Sequence, residues 1–271
     1  MTDWVKVGTE IYDMVRLKTM PIGMKFFENI EDIDKIPKIR RPDVLLTFCQ
    51  AITMCRTIRV TLGITANDLS GLGCIVKLGF ASPSEDFKKM MYSEGRWVKT
   101  QEDANKFLEE EKCMPLGKYK AVVLSPLASG RLNPPDIALI YATPAQIIMI
   151  MMGLQWENYR PINGIFKGEG TCSDSFIDCY YSGEPRFTVP CFGERNMGHV
   201  QEDEMSIAIP GSMVEKAVIG MKAMRETRMV TYPIPFLGFQ FDVTSKNLRV
   251  YPKTIEVREA MLEEATFKPM K

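Results

Sequence analysis

Apolar and polar positions follow two rhythms along this chain. Behind Thr2 and Asp3 as caps, Val7, Ile11, Met14 and Val15 recur on one helical face and predict a helix ending near Thr19. Met20–Phe27 then reads as a short strand, and residues 29–42 as a charged connection with two prolines. Leu45–Leu62 has helical length, with Phe48, Ile52, Cys55 and Arg59 on one stripe; Cys49 and Cys55 face different ways on such a helix. A helix is expected from Ser82-Pro83-Ser84-Glu85, and a polar surface helix over Thr100–Lys112 with acidic residues at its start.

Tyr119–Ser125 and Asp136–Ala142 are the clearest strands. After the second, Thr143-Pro144-Ala145-Gln146 forms a capping box with proline at the first helical position, a strand–turn–helix order typical of an α/β unit. Ser173–Tyr181 reads as one or two helical turns capped by Ser173, and Arg186–Val189 and Glu204–Ile209 as strands. Ser212–Glu215 is a second capping box, opening a helix through Val214, Val218 and Met221. Strand character returns at Phe239–Val243 and Leu248–Tyr251, before a charged helix over Glu256–Ala265. With no internal repeat or low-complexity linker, these elements predict an α/β or mixed α+β fold: one globular domain over residues 1–271, its mixed sheet flanked by helices.

Composition narrows the function classes. At 271 residues and 45% hydrophobic, the chain can bury a sizeable core. Lys+Arg and Asp+Glu both number 34, so the basic excess needed to hold nucleic acid or an anionic membrane is missing. The first eighteen residues lack the apolar centre of a signal peptide, and the apolar run at residues 147–153 is too short to span a bilayer. A soluble, cytoplasmic protein is the expectation. In that compartment seven cysteines are thiols or metal ligands before they are disulfides.

The chemistry concentrates between Gly164 and Gly211, which hold Cys172, Cys179, Cys191, the only histidine and several glycines. Together with Pro21-Ile22-Gly23-Met24-Lys25-Phe26, Cys49-Gln50-Ala51 with Arg56, Cys74 among glycines, Pro135-Asp136-Ile137-Ala138-Leu139, Thr143-Pro144-Ala145-Gln146, Gly170-Thr171-Cys172, Pro190-Cys191-Phe192-Gly193-Glu194-Arg195 and Ile209-Pro210-Gly211-Ser212, this stretch resembles an uncharacterised family, domain of unknown function 169, also labelled ArCR. The resemblance covers most of the chain and implies no activity. Cys49, Cys74, Cys172 and Cys191 match its pattern, whereas Cys55, Cys113 and Cys179 depart from it.

Four thiols are what an iron–sulfur cluster requires, and soft thiolate donors select such centres. The leading expectation is therefore a metal-binding protein holding an iron–sulfur cluster on Cys49, Cys74, Cys172 and Cys191, acting in electron transfer or cofactor handling with a redox partner protein. No C-x2-C knuckle is present, so zinc is a weaker reading. The competing use of each cysteine is as a small buried hydrophobe. In that alternative the protein binds an anionic small molecule, or is a non-redox enzyme, with Thr143 and Gln146 at the helix N-terminus and the loop ending at Gly170 as the ligand site. The loop lacks a GK[ST] end, so no nucleotide cofactor is indicated. Arg195 could neutralise a cluster or substrate, His199 could supply a ligand or a proton, and a homo-oligomer is compatible with the sequence. Whether the protein is an enzyme stays open at this stage.

Overall fold

A computed structural model describes residues 2–94, 97–227 and 253–267. A seven-stranded mixed sheet forms its centre, in the order β2-β3-β4-β1-β5-β7-β6. Its strands are β1 (Ile22–Phe27), β2 (Ile39–Arg40), β3 (Thr61–Thr65), β4 (Ala121–Pro126), β5 (Ile137–Ala142), β6 (Arg186–Thr188) and β7 (Met205–Pro210). Among these strands only β2 and β3 pair with each other in parallel, and the other strand pairs are antiparallel. The mixed α/β architecture expected from the sequence is the one observed.

β4 and β5 are apolar at nearly every position because both of their faces are covered. Alternate side chains divide between the faces. Val122 and Leu124 join Phe48, Ile52 and Phe176 on one side, while Ala121 and Val123 join Ile33 on the other. The first of these faces carries helix α2 (Phe48–Ile58) and a helical segment over residues 171–182. The cysteines of interest lie on that side.

The remaining helices are α1 (Trp4–Met14), α3 (Leu72–Lys77), α4 (Glu85–Ser93), α5 (Gln101–Glu110), α6 (Pro144–Gln155), α7 (Asp178–Ser182), α8 (Phe192–Gly198), α9 (Gly211–Glu226) and α10 (Thr254–Phe267). Asp3, Ser84 and Thr100 cap α1, α4 and α5 by accepting a backbone N–H, as their sequence positions suggest. Among the described residues, no helix is long and apolar enough to cross a membrane.

Several boundaries differ from expectation. α1 stops at Met14 because Arg16 turns left-handed (φ 51°). The helix expected to reach Leu62 ends at Ile58: Arg59 is left-handed, and the β-branched pair Val60-Thr61 enters β3 instead. Residues 29–42 hold a 3-10 helix (Ile30–Lys35) and β2 as well as connection. Ser173 does not cap a helix; it begins a π-helical turn, Ser173–Ile177, inside a segment that already started at Thr171. α8 was not expected, and α9 begins at Gly211, directly after β7. The strands expected at Phe239–Val243 and Leu248–Tyr251 lie outside the described residues.

Packing separates two compact units, Met1–Met221, which contains the whole sheet, and Lys222–Lys271, in which α10 is the described helix.

Candidate functional site

Four local structures present the four cysteines. Cys49 is in the first turn of α2, whose start is fixed by a capping box: Thr47 Oγ1 accepts the Gln50 N–H at 3.2 Å, and Gln50 Oε1 accepts the Thr47 N–H at 2.8 Å. Cys74 stands in the first turn of α3, its N–H donating to Gly71 O at 3.0 Å. Cys172 follows Gly170, immediately before the π turn. Such turns are frequent at functional sites, since they re-aim side chains within a helix. Cys191 precedes α8, and its N–H donates to Thr171 Oγ1 at 2.6 Å, joining it to the backbone that carries Cys172.

These segments converge. A Cβ on Gly71 would lie 3.5 Å from Cys74 Sγ and 3.8 Å from Thr47 Cβ, so the start of α3 sits beside the start of α2. The neighbouring Cys172 and Cys49 thiols hold Cys74 below the usual thiol range, while the influence of Cys74 and burial push Cys172 and Cys49 above it. Glu169 lies on the same side as Cys191: a Cβ on Gly193 would be 3.2 Å from Glu169 Oε2. Close backbone approach makes this assembly compact: a Cβ on Gly198 would lie 3.1 Å from Cys49 Cβ, and one on Gly193 would lie 3.7 Å from Cys191 Sγ.

Cys55 and Cys179 are fully buried in the apolar core, where burial pushes both thiols upward. Cys113 is half-buried and points at the Glu111 carbonyl, with its sulfur 3.8 Å from that oxygen. Cys172 shares that core cluster with Cys55 and Cys179, and Cys74 packs against it.

Two charged systems flank the thiols. On one side, Lys77 Nζ lies 3.3 Å from Glu111 Oε2; Lys167 Nζ lies 2.8 Å from Glu111 Oε1 and 3.1 Å from Asp174 Oδ1. Burial lowers the Lys77 pKa, but Glu111 and the Cys172, Cys74 and Cys191 sulfurs together raise it further, so it remains a cation. On the other side, Arg56 grips Glu204 through two bonds of 2.7 and 3.0 Å and stacks 4.5 Å over the Tyr141 ring. The Tyr141 hydroxyl donates to Glu194 Oε1 at 2.7 Å, and Glu194 Oε2 is buried without a hydrogen-bond partner. Burial pushes the Glu194 carboxyl up to about 7.

The other residues singled out from sequence have local duties. Thr143 and Gln146 form the expected capping box, and the Gln146 amide donates to the carbonyls of Val15 and Arg16 at 2.9 and 2.8 Å. Their polar atoms are occupied in tying α6 to the end of α1. Arg195 donates to Gln201 O at 2.6 Å and to Glu204 O at 3.3 Å, closing the loop before β7. His199 is exposed and left-handed at the end of α8. Gly170 has φ +140° and packs against Glu111.

Lys77, Glu111, Lys167, Asp174 and Glu194 were not found from sequence. Of these, Glu194 stands inside the Pro190–Arg195 motif, and Lys77, three residues beyond Cys74, shares that face of α3. Two surface clefts of about 340 and 410 Å³ lie apart from the thiols, and their linings include none of the four cysteines. Among the described residues, no three His, Cys, Asp or Glu side chains are arranged to hold a single metal ion.

No curated protein and no solved structure matches this chain. A family model does, over residues 10–220, a span that contains the sheet and all four convergent cysteines. The chain belongs to the DUF169 family, described as uncharacterised ArCR.

Proposed function

We propose that Cys49, Cys74, Cys172 and Cys191 hold an iron–sulfur cluster, and that the protein serves electron transfer or cofactor handling. What supports this reading is the approach of the segments that carry the four cysteines: a Cβ on Gly198 of α8 would lie 3.1 Å from Cys49 Cβ, and the Cys191 N–H donates to Thr171 Oγ1, beside Cys172, at 2.6 Å. Cys49, Cys74, Cys172 and Cys191 would supply the four soft thiolate donors that such a cluster takes.

Such a cluster supplies one-electron chemistry. The chain's own residues hold its thiolate ligands, exclude water and set the local charge. Cys49, Cys172 and Cys191 are almost wholly covered, with 7%, 5% and 8% exposure, which shields sulfur from hydrolysis and oxidation. The neighbouring Cys172 and Cys49 thiols, ahead of Lys77, lower the Cys74 pKa against the effect of burial. Electron exchange requires a partner, and a redox protein is the class proposed. We further propose a cytoplasmic location, where reducing conditions keep the thiols available.

Serine substitution tests the ligand assignment residue by residue. Replacing Cys49, Cys74, Cys172 or Cys191 should abolish iron and acid-labile sulfide in protein purified without oxygen. Replacing Cys55, Cys113 or Cys179 should leave both in place. A series in which all seven variants carry the same iron content would refute the assignment.

A further inference from the structure

The smaller of the two clefts, about 340 Å³, opens between the last turn of α6, the first turns of α9 and the edge strand β6. The segment that follows α6 forms a wall of it and is fastened at three places. Gln155 Nε2 donates to the Arg160 carbonyl at 2.7 Å, Arg160 Nη1 lies 3.2 Å from Glu184 Oε1, and Asn163 forms a parallel bridge with Arg186. A volume of about 340 Å³ falls in the range of small-ligand sites and, at ~30 Å³ for each water of the liquid, equals about eleven waters. That is room for a small organic molecule.

One cation in the lining is held in place. Arg186, 16% exposed at the side chain, donates from Nε to Asp178 Oδ2 at 2.7 Å and from Nη1 to the Pro185 carbonyl at 3.0 Å. Asp178 is also paired with Lys112, so two cations share one carboxylate and a positive charge is left over. Among the described residues, Arg186 Nη2 makes no hydrogen bond and Lys216, on α9, has no ion-pair partner; both residues line the cleft. Of the lining carboxylates, Glu184 is taken by Arg160 and Glu157 remains, so three cations face two anions. The larger cleft has the opposite balance, with Lys89 against Asp86 and Glu94.

We propose that the smaller cleft binds a small organic carboxylate with an apolar body. The Arg186 guanidinium and the Lys216 ammonium take its two oxygens, and its hydrocarbon part lies against Leu154, Ile162 and Met213, which complete the lining. A planar donor already fixed by Asp178 and a backbone carbonyl loses little freedom when it binds, and its geometry suits a carboxylate. The inference goes beyond the iron–sulfur reading and does not rest on it, since no cysteine lines this cleft.

The test titrates the full chain with hexanoate by calorimetry at low salt, with 1-hexanol and hexylamine as neutral and cationic molecules of the same chain length. Hexanoate should bind saturably at one site, hexanol much more weakly, and hexylamine not at all. Arg186→Gln should weaken hexanoate at least ~10-fold, the usual loss when a hydrogen bond to a charged group is removed. Lys216→Glu, which alters an exposed side chain, should weaken it about fivefold, and Lys89→Gln in the larger cleft should leave it unchanged. Equal affinity for hexanol, no saturable binding of hexanoate in the millimolar range, or affinity indifferent to both cleft variants overturns the proposal. Should Arg186→Gln fail to fold, an unchanged Lys216→Glu overturns it equally.

Discussion

A carboxylate oxygen of Glu111 fills the space beside Gly170 that any other residue would give to its first side-chain carbon; a Cβ there would lie 2.7 Å away. The same glycine has φ +140°, a conformation that costs an L side chain on the order of 1–3 kcal/mol. Gly170→Ala should therefore destabilise the protein by about that amount and displace Glu111 from Lys77. Gly168, with open space around it, supplies the comparison: Gly168→Ala should change stability little. Thermal or urea melts of the two variants check the contrast.

The Arg56–Glu204 pair makes a second prediction. Both side chains are almost entirely covered, at 3% and 2% exposure, and two bonds link them. Arg56→Met leaves a buried carboxylate without its partner, which costs roughly 3–5 kcal/mol. Denaturant unfolding should show the loss, and it should shrink as pH falls, because burial tends to raise the Glu204 pKa while Arg56 holds it below the usual carboxylate range. The pair's stabilisation is present above that usual range and disappears as pH drops through the lowered value.

Glu194 behaves in the opposite sense. Burial raises its carboxyl from 4.5 to about 7, against the Tyr141 hydrogen bond and the pull of Arg56. Between those values the folded state binds a proton that the unfolded state has released. Its contribution is thus fully present below pH 4.5 and lost as pH rises through about 7. Glu194→Gln cannot titrate, so the stability of wild type relative to this variant should fall by on the order of 3 kcal/mol across that window. Unfolding of both proteins from pH 4.5 to 8 measures it.

Close backbone contact between α6 and α9 gives a test of the packing away from the site. A Cβ on Gly220 would be 2.1 Å from the Gly153 carbonyl oxygen and 2.7 Å from Trp156 Cβ. Gly220→Ala should force the helices apart and cost about 1–3 kcal/mol, without changing which cysteines alkylate.

Much of the fold was legible because local rules set it. Asp3, Ser84, Thr100 and the Thr143–Gln146 box mark helix starts through bonds reaching only three residues, and β4 and β5 announce themselves by continuous apolar runs. What escaped was set by longer-range or conformational causes. Arg16 and Arg59 end their helices by turning left-handed, which arginine's composition does not signal. α8 opens after a proline and a cysteine, with no side-chain cap to advertise it. At the site, glycine settings and family resemblance singled out four cysteines, yet the approach of Gly198 in α8 to Cys49 in α2 joins segments far apart along the chain and leaves no local signal. Glu111 and Lys167 are partners across the fold, and no periodicity could pair them. Gln146 shows the converse: its position suggested a ligand, and its amide instead secures α1.

The central claim is that one cluster joins these four sulfurs. Its most direct test is to purify the full chain without oxygen and determine iron, acid-labile sulfide and visible absorption on the same sample. The account predicts iron and sulfide in comparable molar amounts, with a broad visible band that bleaches on reduction. A colourless, iron-free protein in which all seven thiols titrate would contradict it.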